Sequence, residues 1–193
     1  MQIDNTKDKI LTVAEKLFSR FGFHKTSMDE IAKIARKAKG SLYYHFASKE
    51  DLFKEVVSKE VEGLKNHLSI IVNDSDLGAS EKLKKYLIER MSILDTASNY
   101  HEILKADFFE HFYFIDDLRN ELDEWEKANI RKIVVLGVDK GDFGNFGNID
   151  ILLDVFIMVM KGLEIPFFLQ DKYEKYSPYF ENLMQIFTRG LAA

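Results

Sequence analysis

The sequence predicts an all-α protein with a short N-terminal part and a longer C-terminal part. The chain has 193 residues but only two prolines and ten glycines, so few positions interrupt a helix. Apolar residues recur at spacings of three and four along most of its length, which is the helical period. We expect one domain over residues 1–48 and a second over residues 49–193, whose first helix, at about 49–72, links the two.

Three helices are predicted in the N-terminal part, over residues 6–21, from residue 27 onward, and over residues 39–45. Gly22 ends the first helix, whose inward face includes Phe21. Ser27 and Glu30 have the spacing of a capping box, which places the start of the second helix at Ser27. Ile34 is expected on the buried face of that second helix.

The C-terminal part is predicted to contain further helices over about 49–72, 80–97, 116–139, 149–165 and 177–188, with shorter helical pieces through 108–114. Ser48 followed by Asp51 caps the first of these helices, and Ser80 is expected to cap the next. Ser177 precedes Pro178, the order of an N-cap and a first helical residue. The 149–165 helix is apolar on all sides, which predicts burial on every side.

Composition excludes several classes of site. The chain contains no cysteine, so it has no disulfide, no thiolate nucleophile and no cysteine-bound zinc. Asp107, Glu110 and His111 lie close in sequence, but no further histidine or cysteine has a ligand spacing. No phosphate-binding glycine loop, zinc-protease motif or nucleophile elbow occurs. We therefore expect no catalytic residue, no metal and no cofactor.

The chain shows no targeting or membrane segment. Its first residues lack the basic-then-apolar order of a signal peptide. The most apolar stretch, residues 149–169, contains Asp150, Asp154, Lys161 and Glu164, whereas a spanning helix needs about 20 nearly uncharged residues. We expect a cytoplasmic protein with no membrane partner.

Charge is distributed unevenly along the chain. Residues 1–55 contain eleven Lys and Arg against eight Asp and Glu, although the whole chain has a net charge of −5. The first 55 residues therefore carry +3 and the remainder −8. A basic head on an acidic body indicates that the head faces a polyanion.

Residues 27–46 have the layout of a helix-turn-helix, in which the second helix enters the major groove of DNA. Hydroxyls and backbone N–H groups at Thr26 and Ser27 lie at a helix N-terminus, where phosphate binds well. Leu42 and Phe46, four residues apart, are expected to anchor the second helix to the core. The candidate DNA contacts from side-chain chemistry are Thr26, Ser27, Lys37, Lys39, Gly40, Tyr43, Tyr44, His45 and Lys49.

Residues 10–56 resemble the DNA-binding domain of TetR/AcrR-family regulators. The resemblance rests on the run from Lys39 to Phe46 (KGSLYYHF), followed by Ser48-Lys49-Glu50. It implies that Lys39, Gly40, Ser41, Tyr43, Tyr44 and His45 face DNA and that Thr26, Ser27 and Lys49 hold phosphates. The turn departs from the family pattern, since residues 35–38 read Ala-Arg-Lys-Ala in place of the more usual Ala-Gly-Val-Ser.

The central helices carry a run of aromatic residues with two interpretations. These side chains fill the core, or some of them line an apolar pocket with a few polar groups, as small-molecule sites do. The resemblance implies the second interpretation, because related regulators bind effectors among these helices. The candidate ligand contacts are Met91, His101, Phe108, Glu110, His111, Phe112, Tyr113, Trp125 and Phe156.

Two functional hypotheses follow. In the first, the chain is a transcriptional regulator, a repressor that leaves a palindromic operator in double-stranded DNA when a small-molecule effector binds. Its last two helices pair with those of a second copy, because one protomer cannot cover both apolar stripes. In the alternative, the chain is a helical ligand-binding or enzymatic protein that no longer reads DNA.

Overall fold

The structure is a computed structural model that describes residues 5–109, 113–145 and 147–192; its description of side chains leaves out Asn5 and residues 106–109. The described residues are helical, as predicted, with one isolated bridge between Phe143 and Ala192 and no sheet. The helices, numbered in chain order, are α1 (Asn5–Lys25), α2 (Met28–Ala35), α3 (Lys39–His45), α4 (Lys49–Asn73), α5 (Ala79–Thr96), α6 (Ser98–Phe109), α7 (Asp116–Lys140), α8 (Ile149–Glu164) and α9 (Tyr173–Gly190). A 3₁₀ turn (Tyr113–Ile115) precedes α7, and a π-helical turn (Ile165–Leu169) follows α8.

The chain divides into two compact units, Met1–Glu62 with Ala97–Leu118, and Gly63–Thr96 with Arg119–Ala193. The first unit, which we call the head, thus contains α1–α3, the beginning of α4 and all of α6. The second unit, which we call the body, contains the end of α4, α5, most of α7, α8 and α9. The predicted boundary at residue 48, between a DNA-binding domain and an effector-binding domain, concerns function and stays a prediction.

An aromatic cluster forms the core of the head. The Phe53 ring on α4 lies 5.1 Å from both Phe18 and Phe23, and Phe114 lies 5.6 Å from Phe23. Phe23 is buried, whereas Phe21 is exposed, and Ile34 on α2 is exposed as well. The inward positions predicted for Phe21 and Ile34 are therefore wrong. At Gly22 the backbone leaves helical geometry (φ 81°, ψ 168°), so the residues after it no longer follow the helical phase of α1.

A fully buried ionic cluster joins three helices of the body. The Arg90 guanidinium on α5 donates from Nε to Glu126 Oε1 of α7 (2.7 Å) and from Nη2 to Glu164 Oε1 of α8 (2.6 Å). The Tyr86 hydroxyl donates to the same Glu126 oxygen (3.2 Å), and burial raises the pKa of Tyr86 far above its ordinary value. Removing Arg90 would leave the two buried carboxylates without a cation, and loss of a buried ionic partner costs about 3–5 kcal/mol.

Ion pairs also fix α8 along α7. Asp123, Lys127 and Arg131, spaced four residues apart on α7, pair in turn with Lys161, Asp154 and Asp150 on α8. Pairs at this spacing lie along one side of a helix. The ladder therefore sets which face of α8 packs inward and which face is presented outward.

In the C-terminal part, two boundary predictions and one burial prediction are wrong. Ser80 lies inside α5, which begins at Ala79, whereas α8 ends at Glu164, within one residue of the predicted end. Helix α9 begins at Tyr173, so Pro178 lies inside the helix and Ser177 is not its cap. Helix α8 buries one stripe only, because Ile151, Val155, Met158 and Val159 are exposed on the single chain.

Candidate nucleic-acid interface

The start of α2 is capped by its own sequence. The backbone N–H of Glu30 donates to Ser27 Oγ at 3.2 Å, as the predicted cap requires. The preceding residue, Thr26, is buried, and its hydroxyl donates to the carbonyls of Gly22 (2.8 Å) and Leu17 (3.3 Å). Because that hydroxyl is buried and engaged inside the head, it is not presented to DNA.

The turn between α2 and α3 is built on a left-handed arginine. Arg36 adopts φ 54° and ψ 46°, and its N–H donates to Lys33 O at 3.2 Å. The N–H of Lys37 donates to Ala32 O at 3.0 Å, so two of the four C-terminal carbonyls of α2 are satisfied by the turn. The turn thus takes the conformation that glycine normally supplies, with a cationic side chain at that position.

Helix α3 is anchored by its apolar residues and presents its polar residues outward. Leu42 and the C-capping Phe46 are buried, as predicted. Tyr44 is 84% exposed and Tyr43 is also exposed, while His45 is half-buried and its ring packs edge-on against Tyr44. A Cβ added at Gly40 would meet nothing within 4 Å, so the backbone there is open to close approach by another molecule.

The cations around α3 have partners within the head. Lys39 Nζ lies 2.6 Å from Asp29 Oδ1, and the hydrogen bond and charge of Asp29 raise the pKa of Lys39. Lys37 Nζ donates to Thr6 Oγ1 at 2.8 Å. Lys49 Nζ donates to Phe23 O at 2.9 Å and lies 4.2 Å from the centre of the Phe23 ring. Lys39 remains exposed, and Lys37 and Lys49 are partly exposed.

The sequence did not indicate the role of Asp29. Ten residues separate Asp29 from Lys39, and the contact depends on how the left-handed turn sets α3 against α2. The negative charge of Asp29 is itself unfavourable next to DNA, but its carboxylate holds the Lys39 ammonium at the exposed start of α3. Such an exposed pair contributes little to stability, so the ammonium can change partners at small cost.

The predicted ligand contacts are distributed over both units. His101 on α6 and the exposed Tyr113 belong to the head, whereas Met91, Trp125 and Phe156 belong to the body. Met91 and Phe156 line one groove, and Trp125 is not among its lining residues. The Phe108 side chain and Glu110, His111 and Phe112 lie outside the described residues.

That groove of about 210 Å³ lies between α5, α8 and α9 and is entirely apolar. Three of its lining residues, Val155, Val159 and Leu183, also belong to the exposed face of α8 and α9. The residues that line it are Leu87, Met91, Leu152, Val155, Phe156, Val159, Met160, Leu163, Phe180, Leu183, Met184 and Phe187.

The described residues contain neither a metal-binding cluster nor a membrane-spanning helix. No group of three or more His, Cys, Asp or Glu side chains in that part could hold a metal ion. None of the helices described is long and apolar enough to cross a membrane.

Comparison with known proteins identifies the helix-turn-helix. Residues 10–56, which comprise most of α1, all of α2 and α3 and the beginning of α4, match the model of the bacterial regulatory proteins of the tetR family. Residues 10–56 thus form a DNA-binding domain of the tetR family. This agrees with the resemblance that the run KGSLYYHF at residues 39–46 had indicated.

Individual TetR-family relatives match over part of their length. The chain is 30% identical over 128 residues to the HTH-type transcriptional regulator QacR of Staphylococcus aureus, covering 65% of each chain. It is 37% identical over 83 residues to IcaR of the same species, the HTH-type negative transcriptional regulator of the biofilm operon icaADBC, covering 43% of this chain and 44% of IcaR. The chain thus spans less than two thirds of either protein's length.

The fold as a whole matches that of solved regulators. The transcriptional regulator FadR of Bacillus subtilis, solved in complex with stearoyl-CoA, superposes with a TM-score of 0.77 over 95% of this chain and 98% of its own, at 16% identity. At this identity the likeness shows the fold alone. The all-helical architecture extends over both units.

Proposed function

We propose that this protein is a transcriptional repressor that binds a palindromic operator as a homodimer and leaves it when a small-molecule effector binds. The observation that carries the proposal is the exposed polar face of α3, held on a buried Leu42–Phe46 anchor within the family's DNA-binding domain. Repression is supported by the name of IcaR, a negative regulator. The site of action is the cytoplasm, and no catalytic residue is assigned.

In the proposed complex α3 lies in the major groove and α2 crosses the backbone. Tyr43, Tyr44 and His45 reach base edges, thymine methyls or phosphates, and Gly40 lets the α3 backbone approach closely. Ser41, half-exposed on the same helix, adds a hydroxyl. Lys37, Lys39 and Lys49 supply phosphate contacts, and the N–H groups that follow Ser27 add an anion-binding helix start.

Lys39 has to exchange partners on binding. Its ammonium leaves Asp29 for a phosphate, and the exchange is favoured because DNA releases condensed counterions when a cation binds a phosphate. Each such contact adds to affinity and makes binding more sensitive to salt.

A second copy of the chain is the proposed partner for the exposed apolar residues of α8 and α9, which we call the α8/α9 face. One molecule leaves this face open to water, and contiguous apolar surface of this kind marks an interaction site. Pairing of two identical faces about a two-fold axis covers both and places two heads on one DNA duplex. The face comprises Ile151, Val155, Met158, Val159, Tyr179, Leu183 and Ile186.

Release by the effector is a shift between two arrangements of the protein. The effector has to bind the arrangement that does not fit the operator more tightly than the one that does, and operator in turn weakens effector binding by the same factor. A mainly apolar organic effector with a polar or charged group suits the central helices. FadR of Bacillus subtilis, with the same fold, was solved with stearoyl-CoA.

Fluorescence anisotropy with labelled DNA from upstream of the protein's own gene tests the proposal. Lys39→Ala should weaken binding to all sequences alike and reduce the slope of log affinity against log salt by about one. Tyr44→Ala should weaken binding to upstream DNA more than to unrelated DNA, because it removes a contact in the groove. Lys85→Ala, which removes an exposed lysine of α5 in the body, is the matched control and should change neither.

Absence of binding to upstream DNA and to DNA selected from random sequence would overturn the proposal in favour of a helical protein that no longer reads DNA. Loss of affinity in Lys85→Ala equal to that in Lys39→Ala would show that binding follows net charge and not the α3 surface.

A further inference from the structure

Helix α6 belongs to the head, although in sequence it lies between two helices of the body. The segment Ala97–Leu118 packs as one compact unit with Met1–Glu62, and α1 is among the contacts of α6. The chain enters this segment from α5 and leaves it into α7. The segment is therefore joined through the chain to α5 at its start and to α7 at its end.

Two anchors hold the ends of this segment against α4. At the start of α6, the Glu60 carboxylate of α4 accepts hydrogen bonds from Asn99 Nδ2 (2.7 Å) and from the backbone N–H groups of Tyr100 (2.9 Å) and Asn99 (3.4 Å). At the other end, Lys54 Nζ lies 3.8 Å from Asp117. The Glu60 hydrogen bonds therefore hold the start of the segment against α4, whereas the exposed Lys54–Asp117 pair adds little.

A third contact reaches from α6 to the end of α1. Glu102 Oε2 accepts the backbone N–H of Phe23 at 3.2 Å. It lies 2.6 Å from where a Cβ on residue 22 would stand, so the carboxylate reaches this point only because residue 22 is glycine. Glu102 is mostly buried, and its second oxygen pairs with Lys105 at 2.7 Å.

The peptide that Glu102 holds leads directly into the helix-turn-helix. The carbonyl of Gly22 accepts the Thr26 hydroxyl (2.8 Å), and Ser27 next in the chain caps α2. The carbonyl of Phe23 accepts Lys49 Nζ (2.9 Å). The Gly22–Ser27 bend, by which we mean residues 22–27, is thus fastened to α6 by the Phe23 N–H and to α4 by the Phe23 carbonyl, and its Thr26 hydroxyl is bonded back to Gly22 and Leu17 of α1.

We propose that Glu102 is the positioning residue that couples α6 to the DNA-reading helices, an inference that rests on the function proposed above. With α6 in place, Glu102 fixes the Gly22–Ser27 bend and hence the direction in which α2 and α3 leave it. When α6 is displaced, the carboxylate withdraws and the buried Phe23 N–H loses its acceptor. The bend then keeps only its contacts through Lys49 and Thr26 and is held less firmly in the conformation that suits the operator.

Three variants of the full-length chain isolate this contact. Glu102→Ala removes the acceptor, whereas Glu102→Gln changes the charge equally but keeps an oxygen that can accept the Phe23 N–H. Glu102→Ala should weaken operator binding about tenfold, the size of one hydrogen bond. Glu102→Gln should stay within about twofold of wild type, and so should Lys105→Ala, which removes only the ion pair.

Hydrogen exchange measured by mass spectrometry distinguishes coupling from a purely structural role. If Glu102 only stabilised the fold, its loss would not change how operator affects exchange in α6. In the wild type, adding operator DNA should slow amide exchange in α6, because binding selects the arrangement in which Glu102 holds the bend. In Glu102→Ala, operator should still slow exchange in α3 but no longer in α6. Thermal unfolding of each variant checks that the head is folded before it is compared.

The outcomes separate the inference from the proposed function. Suppose that the wild type binds operator while Glu102→Ala and Glu102→Gln have equal affinity and equal protection of α6. Glu102 then does not couple α6 to α2 and α3, and this inference fails while the proposed function stands. If the wild type binds neither upstream nor selected DNA, the proposed function fails and the inference fails with it.

Discussion

Arg36 occupies a left-handed backbone position that favours glycine. The left-handed conformation costs a residue with a Cβ about 1–2 kcal/mol, whereas glycine loses about 0.5–1 kcal/mol through the entropy of the unfolded chain. Arg36→Gly should therefore raise the free energy of unfolding by up to about 1 kcal/mol. Urea denaturation measures this.

Ala35→Gly is the matched control for this prediction. Ala35 is the last residue of α2, helical and buried, so glycine there should lower the free energy of unfolding by about 1 kcal/mol. A decrease of similar size in Arg36→Gly would mean that the Arg36 side chain stabilises the turn by more than its backbone strain costs.

Individual residues of the candidate site were predictable where the signal is local. Ser27 caps α2 because its hydroxyl reaches an N–H three residues on, and Leu42 and Phe46 are buried because their spacing is helical. Phe21 and Phe23 were not predictable in this way, since Gly22 changes the backbone direction between them. Partners such as Asp29 for Lys39 and Phe23 O for Lys49 depend on tertiary arrangement.

At the scale of elements, the Glu60 cap of α6 predicts a pH dependence of stability. Burial raises the pKa of Glu60, and hydrogen bonds from Asn99 and Tyr100 only partly oppose this. A raised pKa means that the folded state binds the proton more tightly than the unfolded state. The contribution of Glu60 to stability is thus greatest below the unfolded value of 4.5 and declines as the pH rises through the folded pKa.

Glu60→Gln cannot titrate, so it removes this dependence. Melting temperatures of wild type and variant, measured from pH 4.5 to 7, should diverge, with the wild type losing stability relative to the variant as the pH rises. A difference between the two proteins that is constant with pH, or that changes in the opposite direction, would show that burial does not dominate at Glu60.

Helix boundaries were predictable where capping residues, glycine or proline determine them, and not where tertiary packing overrides these local signals. Pro178 and Ser177 suggested a helix start, yet α9 begins a full turn earlier. The Tyr173 ring lies about 6 Å from the rings of Phe167 and Phe168 (5.9 and 6.0 Å), and this packing holds the extra turn in place. Pro178 leaves the Glu174 carbonyl without its helical donor, a cost that the aromatic contacts offset.

For the whole molecule, the exposed apolar stripe of α8 predicts association. Met158 is 65% exposed at the middle of the α8/α9 face, and Met158→Glu should place a charge in the interface between copies. Light scattering should give twice 22.5 kDa for the wild type and 22.5 kDa for the variant.

Ile70→Glu is the control for dimerisation. Ile70 is 70% exposed but lies on α4, outside the α8/α9 face, so this variant should remain dimeric. A wild type that scatters as a monomer at micromolar concentration would contradict the assignment of the face to a second copy, and monomers in both variants would locate the interface elsewhere.

The fold class follows from helical periodicity, since few prolines and glycines interrupt it, but the assembly of the units does not. Nothing in the sequence of Ala97–Leu118 indicates that it packs with the head, because that depends on Glu60 and Glu102 reaching partners about 40 and 79 residues away. Periodicity also shows that α8 is mostly apolar without showing which of its apolar residues the chain itself covers.

Selection of DNA from a random library by the full-length protein tests the central claim most directly. Two identical copies of α3, related by a two-fold axis, should enrich one sequence made of two mirror-image half-sites about one helical turn apart, or a multiple of it. Tyr44→Ala should enrich the same spacing with weaker base preference. Enrichment of no sequence, or of a single half-site bound by one chain, would contradict the account of a dimeric repressor that reads DNA with α3.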